Sequence, residues 1–510
     1  MTTTEAAAAP AAAPAPAPST RLSRSLTLFT LTMVTMLYAM TVTIANVALP
    51  KMQGSLSATQ DQIAWVVTFN IAATAVVTPL SGWLAARLGR RPLMLWAVTG
   101  FAIASLLCGT ATSVEELVFY RILQGACGAP LVPLSQAILL DTYRREQHGS
   151  VNAIFGVGVI LGPIIAPTLG GYLSDAYSWR WVFFMIVPFA LISLFCVWAF
   201  IAEHRVARSR LDWIGFLALA VAVAALQLML DRGERHDWFD SAEIIIEAGL
   251  ALGAFYVFVV HSLTAEKPFF NPKMLRNRNF AVGLVIALIF GMLNFTPITL
   301  LPTLLQNLRG YPDTVIGLVL SARGFGTLVG FAFMIFASRL DPRIPLAAGL
   351  ILQAYAGWTM AQFDINLTTW GVIWTTAVQG LGVGLMWVPL SVITLSTLAP
   401  AERADGTAFF HLLRNLGSSI FISVSIALVI RTTKVSYAGM AENISPYNEN
   451  LRLPWVSGAW STESTPELMA LGAEVLRQAT MIGYLNSFLA FAAIALIALP
   501  LVFLAKWHRD

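Results

Sequence analysis

QGACGAPLVPLSQAILL, residues 124–140, and QGLGVGLMWVPLSVITL, residues 379–395, are two versions of one segment. Each starts on Gln-Gly, continues through further glycines, reaches a Pro-Leu-Ser and ends in an apolar run. A glycine inside a soluble helix costs about 1 kcal/mol, whereas in a membrane small residues let neighbouring helices approach closely. Each copy is followed by an acidic-basic turn, DTYRREQHGS from Asp141 and APAERADGT from Ala399, and then by another glycine-containing helix. The chain is therefore built on a repeat of about 255 residues whose copies face the same way.

The composition agrees with a membrane setting. Of 510 residues, 57% are hydrophobic and 11% charged, with mean hydropathy +0.72, against roughly 25% charged in an average soluble domain. An all-α polytopic membrane protein follows. The net charge of +4 sits in short loops between apolar runs, which argues against a nucleic-acid surface. Cys108, Cys127 and Cys196 fall inside spans without metal-ligand spacing, and no metal site is expected. A Walker A sequence is absent, so direct ATP use is not expected. No nucleophile–base pair marks an enzyme, and no catalytic residue is assigned.

Apolar runs place fourteen transmembrane helices near 25–49, 63–86, 92–111, 115–140, 150–173, 180–202, 212–230, 241–263, 279–306, 313–338, 344–363, 369–398, 404–432 and 481–505. Residues 1–20 read as a disordered Ala/Pro-rich tail. The repeat then divides the chain into a six-helix bundle over 25–202, two inserted helices over 212–263, and a second six-helix bundle over 279–505. With both termini in the cytoplasm, nineteen Lys/Arg lie inside and nine outside, leaving Arg121, Arg323 and Arg414 in the membrane. The positive-inside rule supports this orientation. It makes 433–480 a long extracytoplasmic loop. Parallel halves around a midplane cavity are an alternating-access architecture.

The fifth span contains FGVGVILGPIIAPTLGGYL, residues 155–173. Gly158, Gly162, Ala166 and Gly170 recur every fourth residue and form one stripe of small side chains. Pro163 and Pro167 lie beside it and are expected to bend the helix; Gly171 follows. The stripe is expected to meet a second-half helix and form part of the seam between halves.

Arg121 and Gln124 lie one turn apart in the fourth span. A guanidinium there costs roughly 2.5–3.5 kcal/mol on insertion scales and should face a polar interior. His411 and Arg414 lie one turn apart in the thirteenth span, and histidine titrates in the useful range. Asn46, Gln136, Asn294, Gln306 and Gln379 are polar candidates for a substrate cavity. Phe69, Phe295, Met386, Trp387 and Phe410 are its candidate apolar surface. Between the second and third spans, GWLAARLGRRP places Gly82, Arg87, Gly89, Arg90 and Arg91 at a tight turn and a helix C-terminus.

These segments together resemble the major facilitator superfamily. Fourteen helices with an inserted pair resemble its drug:proton antiporter branch, and TIANVALP from Thr43, DQIAWVVTF from Asp61, WRWVFFMIVP from Trp179 and LDRGERHDWFDS from Leu230 are similar to EmrB-type multidrug efflux proteins. The resemblance implies a proton-driven antiporter in a bacterial inner membrane that exports lipophilic or amphipathic compounds and contributes to antibiotic resistance. A specific exporter of one metabolite, fatty acid or siderophore is the alternative, and a non-transporting receptor a remote one. It implies no cofactor beyond the proton as coupling ion. It also implies a periplasmic membrane-fusion adaptor (EmrA-like) and an outer-membrane channel (TolC-like) as partners. It makes residues 82–92 a cytoplasmic hinge, links Arg121 to proton transfer and reads GPIIAPTLGG as the antiporter element. Thr41 and Ala86 stand where the family usually has Asp, and no Asp or Glu stands at the centre of any span, which makes His411 the leading non-carboxylate candidate for the coupling proton.

Overall fold

The structure, a computed structural model, describes residues 21–203, 211–337, 340–399, 402–445, 447–449, 453 and 464–506. The expected tail over 1–20 lies outside the described residues. The described residues form helices α1 (Arg21–Ser55), α2 (Gln60–Val77), α3 (Leu80–Leu88), α4 (Arg90–Thr110), α5 (Val114–Gly128), α6 (Leu131–Thr142), α7 (His148–Ala176), α8 (Trp181–Phe184) and α9 (Ile186–Phe200). There follow α10 (Trp213–Arg232), α11 (Ala242–Thr264), α12 (Arg278–Arg309), α13 (Asp313–Phe336), α14 (Arg343–Met360), α15 (Thr369–Leu395), α16 (Arg403–Ala441) and α17 (Thr465–Val502).

Each of the fourteen apolar stretches coincides with a helix or an interrupted pair of helices. Ten segments among the described residues are long and apolar enough by themselves to cross a membrane, and α2 with α3, bent by 57°, makes an eleventh. That bend falls at Thr78-Pro79, where proline cannot donate to the preceding turn. The break between α5 and α6 falls at Ala129-Pro130 for the same reason. Gly89 joins α3 to α4 with φ +92°, a conformation that side chains with a Cβ resist.

Two helices run well past their expected ends. α16 has 39 residues and α17 has 38, each about 57 Å long at 1.5 Å per residue, against a hydrocarbon thickness of about 30 Å. The segment read as a loop over 433–480 is thus helical from 433 to 441 and from 465 to 480. A hydropathy window cannot see such extensions, because a helix outside the lipid has no reason to be apolar.

One buried apolar cluster is drawn from 31–201 and binds α1–α9 together; a second lies within α12–α17, and a third joins α12–α17 to α10 and α11 and to Ala75, Leu140 and Ala153 of the first group. The side chains facing away from these clusters include Trp96, Leu252 and Phe336, all more than 70% exposed, as lipid-facing residues must be. α10 packs on α11 and touches both groups. Asp231 accepts a hydrogen bond from Thr68 of α2, and the Leu230 carbonyl accepts one from Ser423 Oγ of α16 at 2.8 Å.

α7 lies along α1. A Cβ at Gly158 would strike Thr32, one at Gly162 would come within 2.7 Å of the Met36 carbonyl, and one at Gly170 would come within 2.5 Å of Ile44. The stripe therefore meets residues 32, 36, 40 and 44, a second every-fourth-residue ridge within its own group. This corrects the expectation that it meets a second-half helix. α7 meets the other group on a different face, where Gly156 packs on Phe331 of α13. Ala166 is fully buried, Pro163 and Gly171 are half-buried, and the Pro167 side chain lies outside those described.

Candidate functional site

Arg121 is 1% exposed, on α5. Its Nε donates to the Val66 carbonyl at 3.1 Å and its Nη1 to Gln124 Oε1. Gln124 Nε2 donates in turn to Ser105 Oγ at 2.7 Å, and the Phe183 ring lies 5.8 Å from the guanidinium. Asn70 of α2 donates to the Arg121 carbonyl at 2.8 Å. Gly125 permits this approach, since a Cβ there would collide with the Asn70 backbone.

The second group repeats the arrangement with one exchange. Gln379 and Gly380 of α15 correspond to Gln124 and Gly125, and Gly380 presses on the backbone of Arg323 as Gly125 does on that of Asn70. Thr327 bonds the Arg323 carbonyl at 2.9 Å, as Thr74 bonds that of Asn70 at 2.9 Å. Arg323 thus occupies the place of Asn70. Its Nε donates to Gln379 Oε1 at 2.6 Å and its Nη2 to Asn294 Oδ1 at 2.6 Å. Gln379 is further tied to Gln353 at 3.0 Å. Arg323 and Gln353 are additions to the site residues picked from sequence; aligning ARGFGT from Ala322 with FNIAAT from Phe69 is the signal that finds Arg323.

A third guanidinium, Arg414 on α16, bonds only Asn415 among the described residues, at 3.0 Å, and lies 5.3 Å from the Trp387 ring. Trp387 packs against Phe290 and Phe410 with centroids 5.5 and 5.8 Å away. Tyr38 of α1 lies within electrostatic reach of Arg414. Among the described residues, none of Arg121, Arg323 and Arg414 is paired with a carboxylate. Three positive charges without a counter-charge form the electrostatic signature of the interior.

Between the groups, His411 Nε2 donates to Gln136 Oε1 at 2.7 Å, joining α16 to α6. Asp141, at the end of α6, takes Arg90 from its own group and Arg403 from the other. Arg403 also donates to the Leu140 carbonyl at 3.2 Å. Nearby, Asp405 fills the space where Gly82 lacks a side chain. These contacts close the protein at the face that carries Arg90 and Arg403.

The remaining candidates separate. Arg87 is exposed and lies over Trp83, while Arg91 donates to the Trp198 carbonyl. Met386 and Phe410 are completely buried in this arrangement, and Trp387 is 4% exposed. Phe69 and Phe295 are half-buried, Phe69 edge-on to Trp65, and Gln306 is exposed on α12. The Asn46 side chain lies outside those described. Among the described residues, no cluster of three metal-ligating side chains occurs.

Residues 31–422 match the profile described as Major Facilitator Superfamily. The chain is 34% identical over 482 residues to the multidrug export protein EmrB of Escherichia coli K12, covering 93% of this chain and 94% of that one. It is 34% identical over 472 residues to the fatty acid resistance protein FarB of Neisseria gonorrhoeae, covering 91% and 92%. Among solved structures, a double-tryptophan mutant of the transporter XylE superposes with TM-score 0.64 at 13% identity, covering 94% of this chain and 95% of that one. The human organic anion transporter MFSD10 superposes with TM-score 0.62 at 15% identity, covering 94% and 99%.

Proposed function

This chain belongs to the major facilitator superfamily, and from that we propose that it is a proton-driven antiporter exporting lipophilic or amphipathic compounds by alternating access. The carrying observation is that the two helical groups meet at one face through polar contacts that can separate: Asp141–Arg403 and Gln136–His411. Ion pairs and hydrogen bonds at that face exchange for water at small net cost, while deeper in the molecule the groups also share apolar contacts such as Gly156–Phe331. The likeness to EmrB and FarB supports an exporter.

In this reading the basic face is cytoplasmic and both termini lie there. Residues 82–91 act as the hinge of the closure through Gly82, Gly89 and Arg90. His411, with Arg414 as its charged neighbour, takes the coupling proton, and Arg121 and Gln124 hold the polar interior of the first group. No cofactor is required, because a potential of 100 mV supplies about 2.3 kcal/mol per proton moved. The outer ends of α16 and α17 lie on the side where an EmrA-like adaptor would dock, leading to a TolC-like channel. Export of a single acidic lipid is the second reading, favoured by the three unpaired internal arginines.

Energised inverted vesicles test both. Compounds of varied structure are added while intravesicular pH is recorded. Proton release with many compounds supports multidrug antiport, and release with fatty acids alone supports the specific exporter. Silence with every compound, with adaptor co-reconstituted, overturns the transport reading.

A further inference from the structure

The polar atoms beside the seam are unevenly supplied with partners. His411 is 2% exposed and Trp387 is 4% exposed. Trp387 Nε1 and His411 Nδ1 are both buried without a hydrogen-bond partner. Their rings lie 5.9 Å apart, and Arg414 stands over the Trp387 ring. Buried polar atoms are normally satisfied, and a phenylalanine at 387 would fill the space without leaving an unbonded N–H. The unbonded Trp387 N–H beside an unneutralised guanidinium therefore marks a place that is completed by something else.

The chemistry of the donors defines that something. Gln136 Oε1 can only accept, so His411 Nε2 carries the proton and is the ring's donor, while Nδ1 of the neutral ring is left as an acceptor. Trp387 Nε1 is an obligatory donor, and Arg414 donates through every nitrogen. The set is rich in donors and positive charge, and its matching ligand group is an acceptor oxygen bearing negative charge. Beside it Trp387 packs tilted against Phe290 and edge-on against Phe410, a buried aromatic cluster matched to a flat apolar body. All of these residues come from α12, α15 and α16. Gln136 alone comes from the other group. Separation of the groups removes Gln136 from His411 and leaves the rest of the cluster intact.

We propose that Trp387, His411 and Arg414 receive the acidic head of an amphipathic substrate, and that the Gln136 amide carbonyl stands in for that head while the basic face is closed. Substrate and Gln136 then compete for one donor, so a bound substrate holds the seam open until it leaves. This rests on the export reading and narrows its substrate class to organic acids with an apolar, preferably aromatic, body.

The test uses three probes that share one ring system: 1-pyrenebutyrate, 1-pyrenebutanol and 1-pyrenemethylamine. Binding to the purified full-length protein is followed by fluorescence, and export is followed in vesicles. The acid is expected to bind at least tenfold tighter than the alcohol, one charge-assisted contact's worth of preference, and the amine weakest. Arg414→Gln should bring the acid-to-alcohol ratio close to one, with Arg414→Lys restoring part of it. Gln136→Leu removes the competitor and should tighten acid binding severalfold. Equal binding of the three heads, or weaker acid binding in a folded Gln136→Leu protein, overturns the proposal. Export of all three probes without preference sinks this inference and leaves the antiport reading standing; absence of any probe-driven proton exchange sinks the antiport reading itself.

Discussion

Gln124 and Gln379 stand at equivalent points of the repeat, and each accepts a hydrogen bond from a guanidinium, buried at Arg121 and half-buried at Arg323. The arginine comes from the same helix in the first group and from the facing helix in the second. The repeat has thus kept the acceptor and moved the charge. What the two halves share is a cation held near mid-membrane by neutral amides, a setting in which it stays positive and keeps its field.

Arg121→Ala is therefore expected to abolish export while the protein still inserts normally, as measured by vesicle transport against membrane yield. Gln124→Leu has a different effect. It leaves the guanidinium in place with its side-chain acceptor gone, and should cost about 1.5–3 kcal/mol of stability, read as a lower thermal midpoint in detergent. Full export by Arg121→Ala would remove Arg121 from the mechanism.

Gly162 and Gly156 predict opposite phenotypes from one helix. Gly162→Leu drives a side chain into the α1 backbone at Met36 and Met40, and overpacking of this kind costs about 1–3 kcal/mol or more. Reduced stability and yield are expected. Gly156→Val instead meets Phe331 across the seam and should disfavour the closed arrangement. A cysteine placed at Ser135 should then label faster with a thiol reagent in the Gly156→Val background. Unchanged labelling would mean that the Gly156–Phe331 contact does not help to hold the seam.

Asp141 serves two arginines, so its loss should exceed that of either partner. Asp141→Asn leaves Arg90 and Arg403 both without a carboxylate, whereas Arg403→Gln breaks only the cross-seam pair. Spin labels on the basic face should show a larger open population for Asp141→Asn than for Arg403→Gln. The charge-swapped double variant Asp141→Arg/Arg403→Asp should rescue closure only in part, because Arg90 then faces a like charge. Equal populations in all variants would show that the pair does not set the equilibrium.

Asp212 predicts an acid-sensitive joint outside the membrane-spanning segments. Burial pushes its carboxyl up, but hydrogen bonds from the Gly215 and Phe269 backbones and from His261 outweigh this and hold it below the usual range. A depressed carboxyl adds stability that is fully present above the unfolded value of about 3.9 and is lost as pH falls through the folded value. The midpoint should drop more steeply below pH 4 in the native protein than in Asp212→Asn. Asp212→Ala, which also removes the cap of α10, should cost about 0.5–2 kcal/mol at neutral pH. Parallel pH profiles for native and Asp212→Asn would overturn this assignment.

The membrane fold is legible in the sequence because hydropathy reports the requirement it reflects: lipid-facing backbone must be helical and lipid-facing side chains apolar. The far ends of α16 and α17 escape that signal, since 433–441 and 465–480 are polar helices with no lipid to face. The stripe from Gly158 to Gly170 announces a close neighbour, but spacing on one helix does not say which neighbour; the matching ridge at Thr32, Met36, Met40 and Ile44 contains no glycine to betray it. Asp141 and Arg403 are 262 positions apart and read separately as ordinary turn charges. Arg323 is hidden for a subtler reason, because the repeat conserves the site and not the helix that supplies its cation.

Leu230 and Asp231 are neighbours in the chain yet are gripped by different bodies, Leu230 by Ser423 and Asp231 by Thr68. Consecutive Cα atoms are about 3.8 Å apart, so there is no slack between the two anchorages. A tilt of one body against the other cannot be absorbed there; it must detach one residue or the other. The inserted helix pair is thus a fuse as well as a spacer. Whichever bond parts first determines which body the pair travels with, and hence on which side of the molecule a path into the lipid opens beside it.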